Sequence, residues 1–357
     1  MKTSRRLYYL DNLRVALMVG VITHHVALAY GPTGAWWPIL EAAHARVLGP
    51  FLAVTRSFGM ELFFMIAGYF TVMSCDAKGP RAFLAIRVLR LGVPLFIFAL
   101  VMIPMQLFVV PPPAGQSRSA WPIDVGHMWF VEHLLIYSAA YALWCMIRPS
   151  YATSGQKQTT PPGHLSILIF ALGLAAVSGV VRIWSPIDKW VHLLGFVRVA
   201  LADVPRDLSF FIIGAVAYRR DWFSTFSRRA GLAWLLVGMG LVVLWYVYDL
   251  GLKAVWPIGD TAMDVIYPIW ESVLCCGMCI GLTVLFREVF DTQSRLGKVM
   301  AQSQYAAYVF HVPFVLLFQY VVTGLALLPL VKFGLVTLVS VPATFLFSYA
   351  VRKPLSL

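Results

Sequence analysis

Charged residues are scarce in this chain. Asp, Glu, Lys and Arg together make up 12% of its 357 residues, whereas soluble domains carry about 25%. Hydrophobic residues account for 60% of the chain, and the mean hydropathy is +0.78. This shortage of charge excludes an ordinary soluble domain and indicates a protein with several membrane-spanning segments.

Cysteine is also sparse, with five residues in the chain. Three of them, Cys275, Cys276 and Cys279, lie in one predicted helix, where small thiols that pack between helices are the favoured interpretation. A structural metal site would need a second pair of ligands nearby, and none is present. We therefore expect neither a metal cofactor nor a disulfide framework.

Acidic residues are few relative to basic ones. The chain has 16 Asp and Glu against 28 Lys and Arg, which gives a formal net charge of +12. In an apolar chain such an excess is typical of a protein whose cytoplasmic face lies against anionic lipids. Membrane lipids are therefore the expected partners, and nucleic acid is not.

Apolar windows recur along the whole sequence, each about 20 residues long, which is the length that a helix needs to cross the hydrocarbon core. Ten windows are predicted, of which the sixth is short: residues 10–30, 51–73, 84–108, 128–147, 165–184, 207–219, 231–250, 262–286, 303–323 and 329–351. The sequence thus predicts an all-α bundle of about ten transmembrane helices that forms one integral-membrane domain, residues 1–357.

The basic residues indicate the orientation of this bundle. Eighteen of the 28 Lys and Arg residues fall in alternate connecting segments and at the two ends: Lys2, Arg5, Arg6, Lys78, Arg81, Arg87, Arg90, Arg148, Lys157, Arg219, Arg220, Arg228, Arg229, Arg287, Arg295, Lys298, Arg352 and Lys353. Because Lys and Arg accumulate in cytoplasmic loops, both termini are predicted to be cytoplasmic.

Two ionisable residues, Arg14 and His25, lie inside the first apolar window. Burying such groups in a membrane costs several kcal/mol unless they are paired or solvated. On a helix they would lie ~16 Å apart along the axis. A neutral imidazole is a suitable general base near pH 7, and the alternative is a histidine bonded to a neighbouring helix. His24 would point ~100° away from His25 and face different surroundings.

Further ionisable residues lie in the second and third windows. Glu61 could orient an imidazole, or it could form a structural ion pair with Arg56. Arg87 and Arg90, three positions apart, are expected on one helix face. Two arginines there can clamp phosphate groups, and the alternative is that they snorkel to lipid headgroups.

Candidate substrate-binding residues are Trp129, Glu132 and His311. Trp129 and Glu132 open the fourth window, where a tryptophan suits the membrane interface and also suits stacking on a sugar ring. His311 lies in a late apolar run that is followed by Pro313. Other tryptophans in predicted outer loops are Trp36, Trp37 and Trp121.

Taken in order, these segments resemble acyltransferase family 3 of the membrane O-acyltransferases. The matching segments are Asp11 to Arg14, the Arg14 and His25 pair, Phe63 to Tyr69, Arg87 and Arg90 with Pro94, Trp129 with Phe130, and the run around His311. Within the family, the branch of periplasmic glucan succinyltransferases is the most similar, on the segments Tyr9–Arg14, Arg56–Phe64, Arg87–Pro94 and Ser209–Tyr218. Ala67 stands where serine is usual, so no catalytic role is assigned to it.

The resemblance implies an enzyme of the bacterial cytoplasmic (inner) membrane. It would move a succinyl or acetyl group from cytoplasmic acyl-CoA to a hydroxyl of a periplasmic glycan, with a glucan as the expected acceptor. Arg14, Arg87 and Arg90 would meet the phosphates of CoA. His25 would act as the general base, with Glu61 as a second catalytic residue.

Two other classes of protein compete with this interpretation. In a proton-coupled transporter or flippase of a small anion or glycoside, Arg14, Glu61 and His25 would relay protons or bind the anion. The sequence shows no inverted repeat, which counts against a transporter. A structural or sensory membrane subunit would have no need for buried ionisable residues.

Overall fold

The fold is described from a computed structural model. The structure describes residues 7–34, 37–104, 125–148 and 156–355. Two of the tryptophans singled out above, Trp36 and Trp121, lie outside the described residues, as do three of the basic residues that were assigned to the cytoplasmic side, Lys2, Arg5 and Arg6. The chain is nearly all-α, as predicted.

In the described part of the first half of the chain there are six helices. They are α1 (Tyr8–Leu28), α2 (Leu48–Lys78), α3 (Pro80–Arg87), α4 (Val93–Pro104), α5 (Trp129–Ile147) and α6 (His164–Trp184). A π-helical turn, Val88–Gly92, joins α3 to α4, and a 3-10 turn, Gly126–Met128, leads into α5.

Seven helices follow in the second half. They are α7 (Val204–Arg220), α8 (Trp222–Thr225), α9 (Arg228–Val247), α10 (Lys253–Val255), α11 (Asp260–Val289), α12 (Arg295–Thr323) and α13 (Pro329–Leu355). A second π-helical turn, Tyr248–Leu252, joins α9 to α10.

Among the described residues, eight helical segments are long and apolar enough to cross a membrane: Leu48–Lys78, Pro80–Val101, Gly126–Ile147, His164–Trp184, Arg228–Val255, Asp260–Val289, Arg295–Thr323 and Pro329–Arg352. The other two predicted windows form α1, whose first turns carry Asp11 and Arg14, and α7, which has only 17 residues. The count of ten spans and the cytoplasmic position of both termini stay predictions.

A short β-hairpin is the main departure from the all-α prediction. Strand β1 (Trp190–Leu193) pairs antiparallel with β2 (Val197–Ala200), so that His192 lies opposite Arg198. At the turn, Leu194 and Gly195 have φ values of 55° and 81°, a conformation that glycine adopts readily. This hairpin was not predicted from the sequence, because strands of four residues are too short to show a clear alternation of apolar and polar residues.

The described helices divide into two compact units. Unit 1 comprises Met1–Phe63, Thr160–Ala175 and Phe223–Leu355, and unit 2 comprises Phe64–Thr159, Ala176–Trp222 and Ser356–Leu357. Helices α2 and α6 each contribute residues to both units. The prediction that residues 1–357 form one domain stays a prediction.

In unit 1, α9 and α11 pack closely through aromatic rings. The Trp270 indole stacks on Trp245 with ring centroids 4.3 Å apart, and its N–H donates to the Leu241 carbonyl at 3.1 Å. Leu274 is fully buried in the same cluster. This apolar packing forms part of the core of unit 1.

In unit 2, two glycines bring α2 and α7 into backbone contact. A Cβ atom added to Gly68 would overlap the carbonyl of Phe211, and one added to Gly214 would overlap the carbonyl of Met65. Small residues allow such close approach between membrane helices. The glycine in the segment Phe63 to Tyr69 therefore serves helix packing.

Candidate active site

Two histidines from different helices meet in unit 1. His25 on α1 and His311 on α12 have ring centroids 4.8 Å apart, and His25 Nδ1 lies 3.3 Å from His311 Nε2. His311 is fully buried, whereas His25 is half-buried. From the sequence, His311 was expected to bind substrate, and its contact with His25 was not predicted.

Two backbone carbonyls fix the protons of this pair. His311 Nδ1 lies 2.6 Å from the Tyr308 carbonyl, and His25 Nδ1 lies 2.9 Å from the Val21 carbonyl. Because a carbonyl oxygen only accepts, each Nδ1 must carry a proton. In its neutral form each imidazole then has its lone pair on Nε2. His311 Nε2 accepts from His25. Among the described residues no hydrogen bond forms at Nε2 of His25, so its lone pair can serve another donor.

A segment between α1 and α2 covers one side of His25. The Trp37 ring lies 5.3 Å from the His25 ring between centroids, and its indole N–H donates to Gln319 Oε1 at 2.8 Å. Gln319 Nε2 in turn donates to the Val26 carbonyl at 3.1 Å. Trp37 is thus a buried wall of the site rather than an exposed surface for a sugar.

An ion pair anchors the same segment to α13. Lys332 Nζ donates to Glu41 Oε1 at 2.7 Å and to the Thr323 carbonyl at 3.1 Å. The Lys332 side chain is 3% exposed. The Glu41 backbone N–H also donates to the Ala29 carbonyl at 3.1 Å. The covering segment is therefore held through both its side chains and its backbone.

His24 faces other surroundings than His25, as expected from its position on the helix. Its Nδ1 lies 2.7 Å from the Thr55 hydroxyl on α2. The Thr55 hydroxyl itself donates its proton to the Phe51 carbonyl at 2.8 Å. It therefore accepts a hydrogen bond from His24. The two adjacent histidines thus have different partners, the Thr55 hydroxyl for His24 and His311 for His25.

Arg14 is held at the start of α1. Its Nη1 lies 3.8 Å from Asp11 Oδ1. With the amide oxygen of Gln304 turned towards the guanidinium, Gln304 accepts from Arg14 Nε at 2.7 Å and from Nη1 at 3.2 Å. One third of the Arg14 side chain is exposed. The group is therefore partly neutralised and remains accessible.

Glu61 lies on α2 in unit 1 and is 1% exposed. In the described residues the imidazole of His25 is oriented by Val21 and His311. A catalytic role for Glu61 stays a prediction, and the orientation of His25 does not require it.

In unit 2, Arg87 and Arg90 lie at the junction between α3 and the π-helical turn. Arg87 is half-buried, donates to the Thr71 hydroxyl at 3.4 Å, and lies 5.2 Å from the centroid of the Phe83 ring. Arg90 is exposed. Arg87 ends α3 and Arg90 lies within the π-helical turn, so the expectation of a shared helix face stays a prediction. Single π-turns are frequent at functional sites.

The β-hairpin of unit 2 is fastened to α5 through the backbone of one residue, Arg198. Glu132 Oε2 accepts the Arg198 N–H at 3.0 Å, and His133 Nε2 donates to the Arg198 carbonyl at 3.1 Å. Glu132 and His133 are 6% and 4% exposed. We call these three residues the hairpin clamp. The role of Arg198 was not predicted from the sequence, because nothing about a basic residue in a predicted outer loop indicates that its backbone is bound by a helix.

Aromatic rings lie beside the hairpin clamp. The Trp129 ring is 5.6 Å from Trp190 on β1 between centroids, and the Arg198 guanidinium lies 4.3 Å from the centroid of the Trp190 ring. Trp129 and Trp190 are half-buried. The predicted substrate-binding roles of Trp129 and Glu132 stay predictions, and Glu132 has a structural partner in the hairpin.

Within the described residues, no group of three or more His, Cys, Asp and Glu side chains could hold a metal ion. The Cys275 and Cys279 sulfurs lie 3.9 Å apart in the interior of unit 1. The expectation that the protein needs no metal cofactor stays a prediction.

Comparison with known proteins identifies the family. A family described as an acyltransferase domain matches residues 7–351, nearly the whole chain. The chain belongs to this family. The resemblance noted from its motifs is thereby confirmed.

The individual relatives share low sequence identity with this chain. The proteins named glucans biosynthesis protein C from Salmonella typhi and Salmonella typhimurium are each 26% identical to this chain over 231 residues. The aligned region covers 60% of this chain and 58% of each relative. The chain therefore spans little more than half the length of the curated relatives it matches. No solved structure matches the chain.

Proposed function

We propose that this protein is a membrane O-acyltransferase that moves a succinyl or acetyl group from acyl-CoA to a hydroxyl of an extracytoplasmic glycan. Membership of the acyltransferase family supports acyl transfer, and the long apolar helices support a membrane location. The observation that carries the proposal is the contact between His25 Nδ1 and the Val21 carbonyl, which sets the tautomer of His25. Its Nδ1 proton is committed to Val21 and His311, so its Nε2 lone pair can accept a proton from an acceptor hydroxyl.

The reaction then follows from this lone pair. The acceptor oxygen attacks the thioester carbonyl, and its proton passes to His25 Nε2. The bond between the acyl carbon and sulfur breaks, an ester forms, and CoA leaves as a thiolate. The proton on His25 returns to that thiolate, which restores the neutral imidazole. General-base catalysis of this kind contributes about 10²–10⁴-fold to the rate.

Arginines bind the donor in this proposal. The cationic side chains of Arg87 and Arg90 in unit 2 are proposed to bind phosphates of CoA. Donor binding by Arg14 stays a separate prediction. The exposed guanidinium of Arg90 and the accessible part of Arg14 are consistent with this role. A cytoplasmic donor also agrees with the prediction that the basic connecting segments and both termini lie on the cytoplasmic side of the bacterial inner membrane.

A glucan is the proposed acceptor. The name glucans biosynthesis protein C supports this choice, since it belongs to relatives that share 26% identity with the chain. The half-buried ring of Trp129 supplies an aromatic surface on which a sugar can stack.

The decisive experiment compares His25→Ala with His24→Ala. Purified variants are mixed with succinyl-CoA or acetyl-CoA and a glucan oligosaccharide, and the acylated product is measured by mass spectrometry. We expect a loss of about 10²–10⁴-fold for His25→Ala and a small loss for the neighbouring His24→Ala. Wild-type rates in a folded His25→Ala variant would refute the proposed base.

The same assay separates the enzyme from its alternative. A proton-coupled transporter or flippase would move a small anion or glycoside across reconstituted vesicles without releasing CoA. Release of CoA that depends on the acceptor supports acyl transfer, and transport without thioester cleavage supports the alternative.

A further inference from the structure

The contact between His25 and His311 joins two helices that are far apart in sequence. The two residues are 286 positions apart, and His25 Nδ1 lies 3.3 Å from His311 Nε2. Packing alone would not require a particular proton arrangement at this contact. Here the arrangement is set independently on both sides, by the Tyr308 carbonyl at His311 Nδ1 and by the Val21 carbonyl at His25 Nδ1.

In this contact the Nε2 lone pair of His311 is a hydrogen-bond acceptor for the Nδ1–H of His25. When His25 takes a proton at Nε2, both of its nitrogens carry protons and the ring becomes an imidazolium. Its Nδ1–H then points at two acceptors, the Val21 carbonyl and the His311 lone pair. Hydrogen bonds to a charged group are stronger than those between neutral groups. The contact therefore stabilises the charged state that forms during transfer.

We propose that His311 is a positioning residue for His25: it holds the imidazole in place and stabilises its protonated form through its own Nε2 lone pair. This inference rests on the proposed function, in which His25 is the general base. His311 itself does not touch the substrate. Its burial and the commitment of Nδ1 to Tyr308 keep that lone pair directed at His25.

Three substitutions separate the acceptor atom from mere packing. The amide of His311→Gln extends far enough to place an oxygen near the original Nε2 position and can accept from His25, although it does not titrate. His311→Asn is shorter, so it can still donate to the Tyr308 carbonyl but leaves His25 without the acceptor. His311→Leu fills the space and supplies neither group.

We expect kcat to fall about 10- to 100-fold in His311→Asn and His311→Leu, which is the effect of losing one charge-assisted hydrogen bond. His311→Gln should recover most of kcat, and the KM values for donor and acceptor should stay near wild type in all three. Wild-type kcat in folded His311→Asn and His311→Leu would overturn the proposal. So would an unchanged kcat with a raised acceptor KM, which would return His311 to the substrate-binding role.

A spectroscopic measurement tests the hydrogen bond in the wild-type protein without any assay of activity. In protein labelled with 15N-histidine, a scalar coupling across the bond should link His25 Nδ1 and His311 Nε2. The signals are assigned by their loss in His25→Ala and His311→Gln. Absence of the coupling, or a proton on His311 Nε2 in the neutral state, would overturn the proposal.

The two failures are distinguishable. If wild-type protein transfers no acyl group, the proposed function fails, whereas the coupling still reports on the histidine pair. If wild-type protein transfers acyl groups and the His311 variants do so equally well, only the positioning role fails.

Discussion

The histidine pair of unit 1 and the hairpin clamp of unit 2 use similar residues in different ways. In the clamp, Glu132 and His133 take up the two backbone groups of Arg198, its N–H and its carbonyl. In the pair, the hydrogen bonds of His25 run through Nδ1 and leave Nε2 to another donor. Both sites thus hold ionisable residues through backbone groups of their own unit, but the clamp fixes the hairpin to α5, whereas the pair fixes the imidazole that is proposed as the base.

This difference teaches how to interpret buried polar residues. A buried polar group without a partner costs about 1–3 kcal/mol, so most such groups are paired. A partner that fixes one ring nitrogen of a histidine leaves the other nitrogen outside that bond, so the exposure of the second nitrogen matters. His25 is half-buried, whereas His133 is 4% exposed and its Nδ1 is buried.

The largest expected effect on stability concerns the ion pair between Glu41 and Lys332. Their side chains are 16% and 3% exposed, so Glu41→Ala strands an ammonium with almost no access to water. Breaking a buried pair costs about 3–5 kcal/mol. Lys332→Met should cost less, since the remaining carboxylate is closer to solvent. Denaturation of the purified variants in detergent measures both effects.

A surface pair provides the control for this prediction. Lys253 and Asp249 lie 3.6 Å apart with side chains 59% and 25% exposed, and exposed pairs contribute about 0–1 kcal/mol. Lys253→Met should therefore leave stability nearly unchanged. If Glu41→Ala were as mild as Lys253→Met, the segment that carries Trp37 would not depend on its ion pair.

The next effect tests the hairpin clamp directly. Glu132→Ala leaves the Arg198 N–H without its acceptor and should destabilise the protein by about 1–3 kcal/mol. Glu132→Gln keeps an acceptor oxygen and should recover most of this loss. The midpoint of thermal unfolding in detergent is the measurement. Wild-type stability together with a raised acceptor KM would instead support substrate binding by Glu132 and would break the comparison drawn above.

The sequence predicted the helices well because apolar length is a local property. Eight of the ten windows correspond to helices long and apolar enough for a membrane. The remaining two, α1 and α7, form helices whose polarity or length sets them apart. The β-hairpin escaped prediction because its strands have four residues each.

The site was only half predictable for a related reason. Arg14 and His25 stand out in the sequence because charge in an apolar window is costly. The contact between His25 and His311 cannot be inferred in this way, since it joins residues 286 positions apart. The cost of burying a charged residue in an apolar window identifies candidate site residues from sequence. Which of their atoms form hydrogen bonds with each other is decided by tertiary contacts.

The smallest expected effect concerns Arg87 and Arg90, which lie at the junction between α3 and the π-helical turn. Replacing both with glutamine removes two charges at the π-helical turn without emptying the helix surface. We expect binding of acyl-CoA, measured by isothermal titration calorimetry, to weaken about tenfold, or ~1.4 kcal/mol. Arg81→Gln is the matched control, since Arg81 is exposed on the preceding helix. Equal affinity for acyl-CoA in wild type and the double variant would favour the alternative, in which both arginines contact lipid headgroups. A loss that Arg81→Gln does not share would show that unit 2, like unit 1, combines residues for architecture with residues kept open for a ligand.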